Sequence, residues 1–576
     1  MKLLILISLL ATIVVAQEPP LSCFYFNVGT GYLCRLAIDN PSGFDNFTEI
    51  DGVHLEGFTN EAVTAIQVGR GISTNIPRII CDTFPNIDQF DFYGAGLTYI
   101  DDTSFGGCTQ IGWLYLSNNR LSSISEHAFT NLRAATLINL GDNLLATLPE
   151  NLFANQQNLE YLTMNNNLIN DFAPGIFRPL ENLRYLFIEN LNITTINSQL
   201  FAQNFRLIYL YLGGNRITLS PNIFSGLDEL RFMSLTNNGI GEIPHGTFAG
   251  LPNLTALDLN WNNFTTLRAD SFPGLSQLYS IDLSGNPIET IEENAFRGLE
   301  GLLSLIIERA RLRDLNSVSF NNFPNLTYLA LNINSIEEIP SGFFESMPRL
   351  NYIGLWANRI KTVRRSSFGT LTELTTLDLD RNLVNAIDRE VIDDAVNLNT
   401  LYFDANLCAS NYFGNFANNR DRYLPMLERC FRNMRYITET TTENDGIYSF
   451  FEAPQPGIVL RVRSDSEIQI ALTPFNFMWT PAIEIYIGST NNTLSVIRVN
   501  DETNVVTVPT PNIIQRNQWN DFRVTWANQN VLVFTGNNTF PFMSYTMQHF
   551  FPVNSYGLRA AESRATWSVQ PIFFDD

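Results

Sequence analysis

The chain has 576 residues, 45% of them hydrophobic and 16% charged, with a formal net charge of −22. That length and apolar content suffice for more than one buried core, so a disordered chain is excluded. The acidity opposes long-range attraction to nucleic acid or to an anionic membrane, and it also keeps a large apolar-cored molecule soluble.

The chain opens MKLLILISLLATIVVAQEPP, with Lys2 followed by an apolar run from Leu3 to Val15 and small residues up to Ala16. This reads as a secretory signal peptide over 1–16, too short to span a bilayer, with an uncleaved anchor as the lesser alternative. No later apolar run is long enough for a membrane span, so the expected location is secreted and extracellular. Three disulfides among the six cysteines then fit an oxidising compartment. There are seven sequons for N-linked glycan, at Asn46, Asn192, Asn253, Asn263, Asn325, Asn491 and Asn537. No C-x-x-C occurs and the histidines are scattered, so no metal and no cofactor is expected.

Residues 17–62 lack the pattern that follows and contain Cys23 and Cys34, as a cystine-tied amino-terminal cap would. From Val63 to Asn406 one block recurs fifteen times at a period of 24, broken by a single 23-residue step from Leu207 to Leu230. The copy LTALDLNWNNFTTLRADSFPGLSQ, Leu254 to Gln277, shows apolar residues at positions one, four, six and eleven, Asn at nine and Phe at nineteen. This block resembles the leucine-rich repeat family. The resemblance implies an α/β solenoid of about 15 coils, each with a short strand at positions three to seven. Asn at nine would satisfy backbone groups at the turn out of the strand, while Phe at nineteen would fill the back of the core. Stability would come from stacking neighbours, since no coil buries its own apolar face.

Cys81 falls where one coil would place its Phe, and Cys108 stands in the next coil, which makes them natural partners. Residues 407–435, with Cys408 and Cys430, read as a carboxy-terminal cap. Local pairing is expected throughout: Cys23–Cys34, Cys81–Cys108 and Cys408–Cys430. Residues 436–445, YITETTTEND, read as a Thr-rich linker. From 446 to 576 about ten short alternating segments separated by turn residues predict an all-β antiparallel sandwich. The order AIEIYIGSTNNTLSVIR, WNDFRVTWANQNVLVFTG, PFMSYTM, SYGLRAAESRATWSV resembles the farnesoic acid O-methyltransferase-like domain. That resemblance implies a methyltransferase, the alternative reading of function. The residues themselves offer no Gly-rich turn between a strand and a helix, so a binding or packing module, not an enzyme, is expected.

Positions three, five and seven of each coil should face outward on the inner arc. They place Trp113, Tyr161, Tyr185, Tyr209 and Phe232 in one column and Tyr115, Phe187 and Tyr211 beside it. Aromatic rings favour strands with or without a ligand, but so many exposed on one face point to contact with an extracellular protein or glycan. The pairs Asp258 with Asp282 and Asp378 with Asp380 are expected to be solvated face residues, because an open arc does not separate carboxylate pKa values.

Overall fold

In the computed structural model the described residues are 21–572, apart from short stretches at 28–30, 39–46, 48, 71–72, 319, 321–322, 435–437, 443–447, 455, 475–481, 501–503, 517, 528, 537, 549–550 and 561–564. The expected signal peptide and the sequons at Asn46 and Asn537 lie outside the described residues. Two compact units result: residues up to Ile336 with Gly342–Asn358, and Glu337–Ser341 with Arg359–Asp576. Within that second unit Arg461 lies 3.6 Å from Glu337 and 3.9 Å from Glu338, which joins a sandwich strand to a repeat.

The first unit opens with an antiparallel hairpin, Leu21–Asn27 against Tyr32–Ala37, tied by the Cys23–Cys34 disulfide. The hairpin runs parallel to the first repeat strand, Val63–Arg70. It thereby covers the end of the coil stack, where apolar side chains would otherwise meet water. Parallel three-residue strands follow in strict register, for example Tyr185–Phe187 beside Tyr209–Tyr211 and Ala256–Asp258 beside Ser280–Asp282. In each, the middle residue points into the core: Leu186, Leu210, Leu257 and Ile281 are all buried.

The Asn positions staple coil to coil. Asn262 Nδ2 donates to the carbonyls of Leu235 (2.9 Å), Leu259 (2.9 Å) and Asn260 (3.2 Å), and its Oδ1 accepts from the N–H of Asn238 and Ile240 at 3.0 Å each. The residue before each such Asn turns the chain with positive φ. Asn118, Asn166 and Asn237 do so, but so do Trp261 and Ile333, for which this conformation is strained. Behind the sheet the Phe residues form a continuous spine, with Phe224, Phe248, Phe272, Phe296 and Phe320 stacked at 5.9–6.4 Å. Cys81 and Cys108 bond at the head of this spine.

The α/β expectation is corrected on the convex side, where turns prevail and only brief helices occur, as at Ile79–Thr83 and Arg389–Asp394. Successive i+3 bonds such as Ile176 N–H to Ala173, Arg178 to Gly175 and Leu180 to Phe177 close these turns. The solenoid is therefore built from β-strands and turns.

In the second unit Asn411–Gly414 pairs antiparallel with Thr400–Phe403 and ends the sheet, with Cys408 bonded to Cys430 beneath. Beyond it two six-stranded antiparallel sheets form the sandwich. One contains Thr438–Thr442, Ala565–Ile572, Gly457–Arg463, Trp519–Ala527, Asn530–Thr535 and Met543–Thr546. The other contains Ser449–Glu452, Ser555–Ala560, Ile468–Thr473, Ile483–Gly488, Leu494–Val499 and Asn504–Pro509. Trp567, Tyr556 and the alternate residues of Ile468–Thr473 and Ile483–Gly488 fill the core between them. The expected linker is corrected here: Thr438–Thr442 is an edge strand, paired with Val569 to Ala565. β-Branched threonines suit a strand, and an edge strand need not show apolar alternation.

Candidate functional site

Each coil strand has its first and third residues on the open face of the first unit and its second in the core, so the rings of neighbouring coils meet. Tyr185 and Tyr209 stack at 5.2 Å between ring centres, with planes 9° apart. Phe187 and Tyr211 stack at 4.5 Å and 10°. Tyr161 packs on Phe187 at 5.0 Å and on Tyr185 at 5.9 Å, and Phe232 closes the far side, 5.0 Å from Tyr211 and 6.1 Å from Tyr209. Six of the eight expected residues thus make one contiguous aromatic patch over four coils. The other two, Trp113 and Tyr115, stand two strands away, behind Leu137 and Asn139. Trp113 is the most exposed of the eight, at 46%.

The spacing follows from the fold. Adjacent strands lie about 4.8 Å apart, within the range for offset stacking, so a fixed 24-residue register brings like residues into ring contact. The rings are half-buried by one another. Burial holds the hydroxyls of Tyr161 and Tyr211 above their ordinary pKa, and for Tyr211 the nearby Glu189 carboxylate adds to this.

Sequence reasoning missed the acidic edge of this patch. Glu189 extends two residues beyond Phe187, where its Oε2 accepts from Asn165 Nδ2 at 3.1 Å. Burial pushes its pKa up, the Asn165 bond lowers it and the Asp258 carboxylate raises it further. Asp258 is likewise raised, first by burial; its bond from the Asn260 N–H opposes this, and its register partner Asp282 adds to it. Asp258 was expected to be a solvated face residue and is partly buried. A further missed residue is Trp261, 56% exposed at the turn beyond Asn260. The signal for both was available: Glu189 and Asn260 hold position seven, and Trp261 follows directly.

Five of the sequons fall on described residues. Asn192, Asn253, Asn263 and Asn491 are exposed and Asn325 is partly so. The amides of Asn253 and Asn325 donate to the carbonyls of Asp228 (2.9 Å) and Glu300 (3.0 Å) one coil back. Among the described residues no group of His, Cys, Asp and Glu is placed to hold a metal ion, and no helix is long and apolar enough to cross a membrane.

A stacked-coil solenoid with an asparagine ladder and a phenylalanine spine defines the leucine-rich repeat class. Family matches agree: Leucine rich repeat segments cover 182–240, 233–288, 252–312, 276–336, 301–355 and 348–407, and a BspA type Leucine rich repeat region covers 74–208. The Farnesoic acid O-methyl transferase family matches 435–571 and takes in the edge strand at Thr438–Thr442. The chain is a leucine-rich repeat protein with a carboxy-terminal domain of the farnesoic acid O-methyltransferase family.

Among solved structures it is similar to a leucine-rich repeat protein of Leptospira interrogans, at 20% identity and a TM-score of 0.50, over 60% of this chain and 84% of that one. It is also similar to a chain of the Toll–Spatzle complex of Drosophila, at 23% identity and a TM-score of 0.53, over 61% of this chain and 48% of that one. These likenesses show the fold. No curated protein matches the chain.

Proposed function

We propose that this is a secreted, non-catalytic binding protein that recognises an extracellular protein through the aromatic face of its repeats. The observation that carries the reading is the contiguous patch of Tyr161, Tyr185, Phe187, Tyr209, Tyr211 and Phe232. Stacked tyrosines offer large amphipathic area with few rotatable bonds, so a partner covers them at low entropic cost. A protein partner is favoured over a glycan because the patch extends across four coils, wider than the one or two rings a sugar stacks on. The similarity to a chain of the Toll–Spatzle complex, a complex described as a molecular hub in development and innate immunity, supports a recognition role such as host defence or adhesion.

Hydroxyl-radical footprinting of the full chain in extracellular fluid of its source tests this. Tyr161, Tyr185, Tyr209 and Tyr211 are expected to oxidise several-fold more slowly than in buffer, while the exposed Tyr279 and Tyr412 remain unchanged. The same peptide maps should show glycan at Asn192 and Asn263, which are exposed and frame the patch. Protection confined to other surfaces would refute the reading, and unmodified asparagine at every sequon would refute secretion through a glycosylating pathway.

For the sandwich the proposal is a binding or packing module. Its family name implies methyl transfer, but among the described residues the one strand–glycine–helix junction, Ile483–Gly488 into Ser489–Asn492, offers only a four-residue turn with non-helical φ/ψ at Thr490 and Asn491, too short for the helix N-terminus that cradles a nucleotide-type methyl donor. Calorimetry on the full chain should therefore detect no heat of binding with S-adenosylmethionine; saturable micromolar binding would overturn this part.

A further inference from the structure

The outward positions of the repeat sheet are one-sided in charge. From Gln89–Asp91 to Tyr352–Gly354, neither the first nor the third residue of any strand, nor the residue two beyond, is Lys, Arg or His. Asp91, Glu189, Asp258, Asp282 and Glu308 occupy those same positions. A chain with 35 Lys and Arg in 576 residues would place about two cations among these 36 positions by chance alone. The rims do carry them: Arg184 and Arg231 each directly precede a strand.

The acidic groups are also held without cations. Glu189 is bonded to the Asn165 amide, Asp258 to the Asn260 N–H, Asp282 to the Ser284 N–H (2.9 Å) and the Asn260 amide (3.4 Å), and Glu308 to the Asn332 amide (2.8 Å). No ion pair among the described residues reaches any of the four. Burial and mutual repulsion already oppose the charged forms of Glu189 and Asp258. A partially desolvated carboxylate left without a counter-charge is costly, and a partner's cation would offset that cost. Next to Glu189 stands Tyr211, in ring contact with Phe232, and a lysine or arginine stem can rest on this aromatic surface with its head group toward the acids.

From this charge complementarity, and resting on the binding role proposed above, we infer that the face selects a partner segment presenting lysine or arginine next to an aromatic or leucine side chain. The basic group would sit in the corner formed by Glu189, Tyr211 and Asp258, and its apolar neighbour would lie on the Tyr185–Tyr209 stack. Recognition would then be by charge and ring contact together, so an acidic or purely apolar segment is rejected.

The test pans a phage-displayed random dodecapeptide library against the full glycosylated chain and measures the selected peptides, as synthetic probes, on three proteins. These are the unaltered chain, Glu189→Gln/Asp258→Asn and Tyr185→Ala/Tyr209→Ala. Expected is at least threefold enrichment of Lys and Arg within two positions of an aromatic or Leu, with at least tenfold weaker binding to the Gln/Asn variant. That variant changes the net charge only from −22 to −20, so unspecific attraction to an acidic protein would survive it. Near-isosteric amides keep the fold, and an unchanged thermal midpoint verifies this; should the pair unfold, Asp282→Asn alone replaces it. Peptides without basic enrichment, or whose binding falls on the tyrosine variant and not on the amide variant, overturn the charge inference and leave the aromatic face standing. Binding indifferent to both variants, or a library that yields no binders, overturns both.

Discussion

Replacing Tyr185 and Tyr209 together with Ala is expected to weaken binding of the physiological partner by about 2–4 kcal/mol, roughly 30- to 1000-fold in Kd. The two rings form the closest-to-parallel pair of the patch and hold its centre, with Tyr161 on one side and Phe232 on the other. Central, desolvated aromatic anchors carry most of the binding energy at protein interfaces, whereas rim residues contribute little. Fold stability should change less. The inward Leu186, Ile188, Leu210 and Leu212 stay in place, and the lost stacking amounts to about 1 kcal/mol. Titration of the double variant by surface plasmon resonance, beside an Asp378→Asn/Asp380→Asn control in the second unit, separates the possibilities. If the aspartate control abolishes binding and the tyrosine variant does not, the contact lies on the acidic carboxy-terminal coils and the aromatic patch is only strand packing.

The second large effect falls on stability. Asn262→Ala should destabilise the repeats by about 3 kcal/mol. It removes one side chain that donates to three carbonyls and accepts from two N–H groups; the Leu235 and Leu259 carbonyls keep the Asn238 and Asn286 amides, but the N–H groups of Asn238 and Ile240 lose their acceptor. Each unsatisfied buried group costs about 1–3 kcal/mol, reduced wherever water reaches the turn. Because coils contact only their neighbours, the damage should be local and should split the unfolding transition. Urea unfolding followed by circular dichroism would show a lower midpoint with a broadened or biphasic curve. A loss below about 1 kcal/mol with a single sharp transition would mean that water replaces the amide, and the ladder would then be a consequence of stacking instead of a cause.

Much of this molecule is written in its local sequence because a repeat turns long-range contacts into a fixed offset. Once Leu, Asn and Phe recur every 24 residues, the neighbour of Tyr185 has to be Tyr209, and Cys81 has to meet Cys108 in the next coil. The inward leucines, the asparagine staples, the phenylalanine spine and the Cys81–Cys108 disulfide were legible for that reason, while the two cap disulfides were legible from their short separation in sequence. What the tertiary structure alone decided lacks such an offset. Whether a ring lies flat on its neighbour or tilts depends on what flanks it, so Tyr185 stacks parallel on Tyr209 while Tyr161 is tilted against Tyr185 and Phe187. Glu189 and Asp258 come close across three strands, and burial there, which no spacing reports, raises both carboxyls. Thr438–Thr442 becomes a strand only because Ala565–Ile572 offers it an edge more than a hundred residues later. The backs of the coils close in i+3-bonded turns, with brief helices as at Arg389–Asp394, and which of the two a coil adopts is set by the packing of its own neighbours and not by the period they all share.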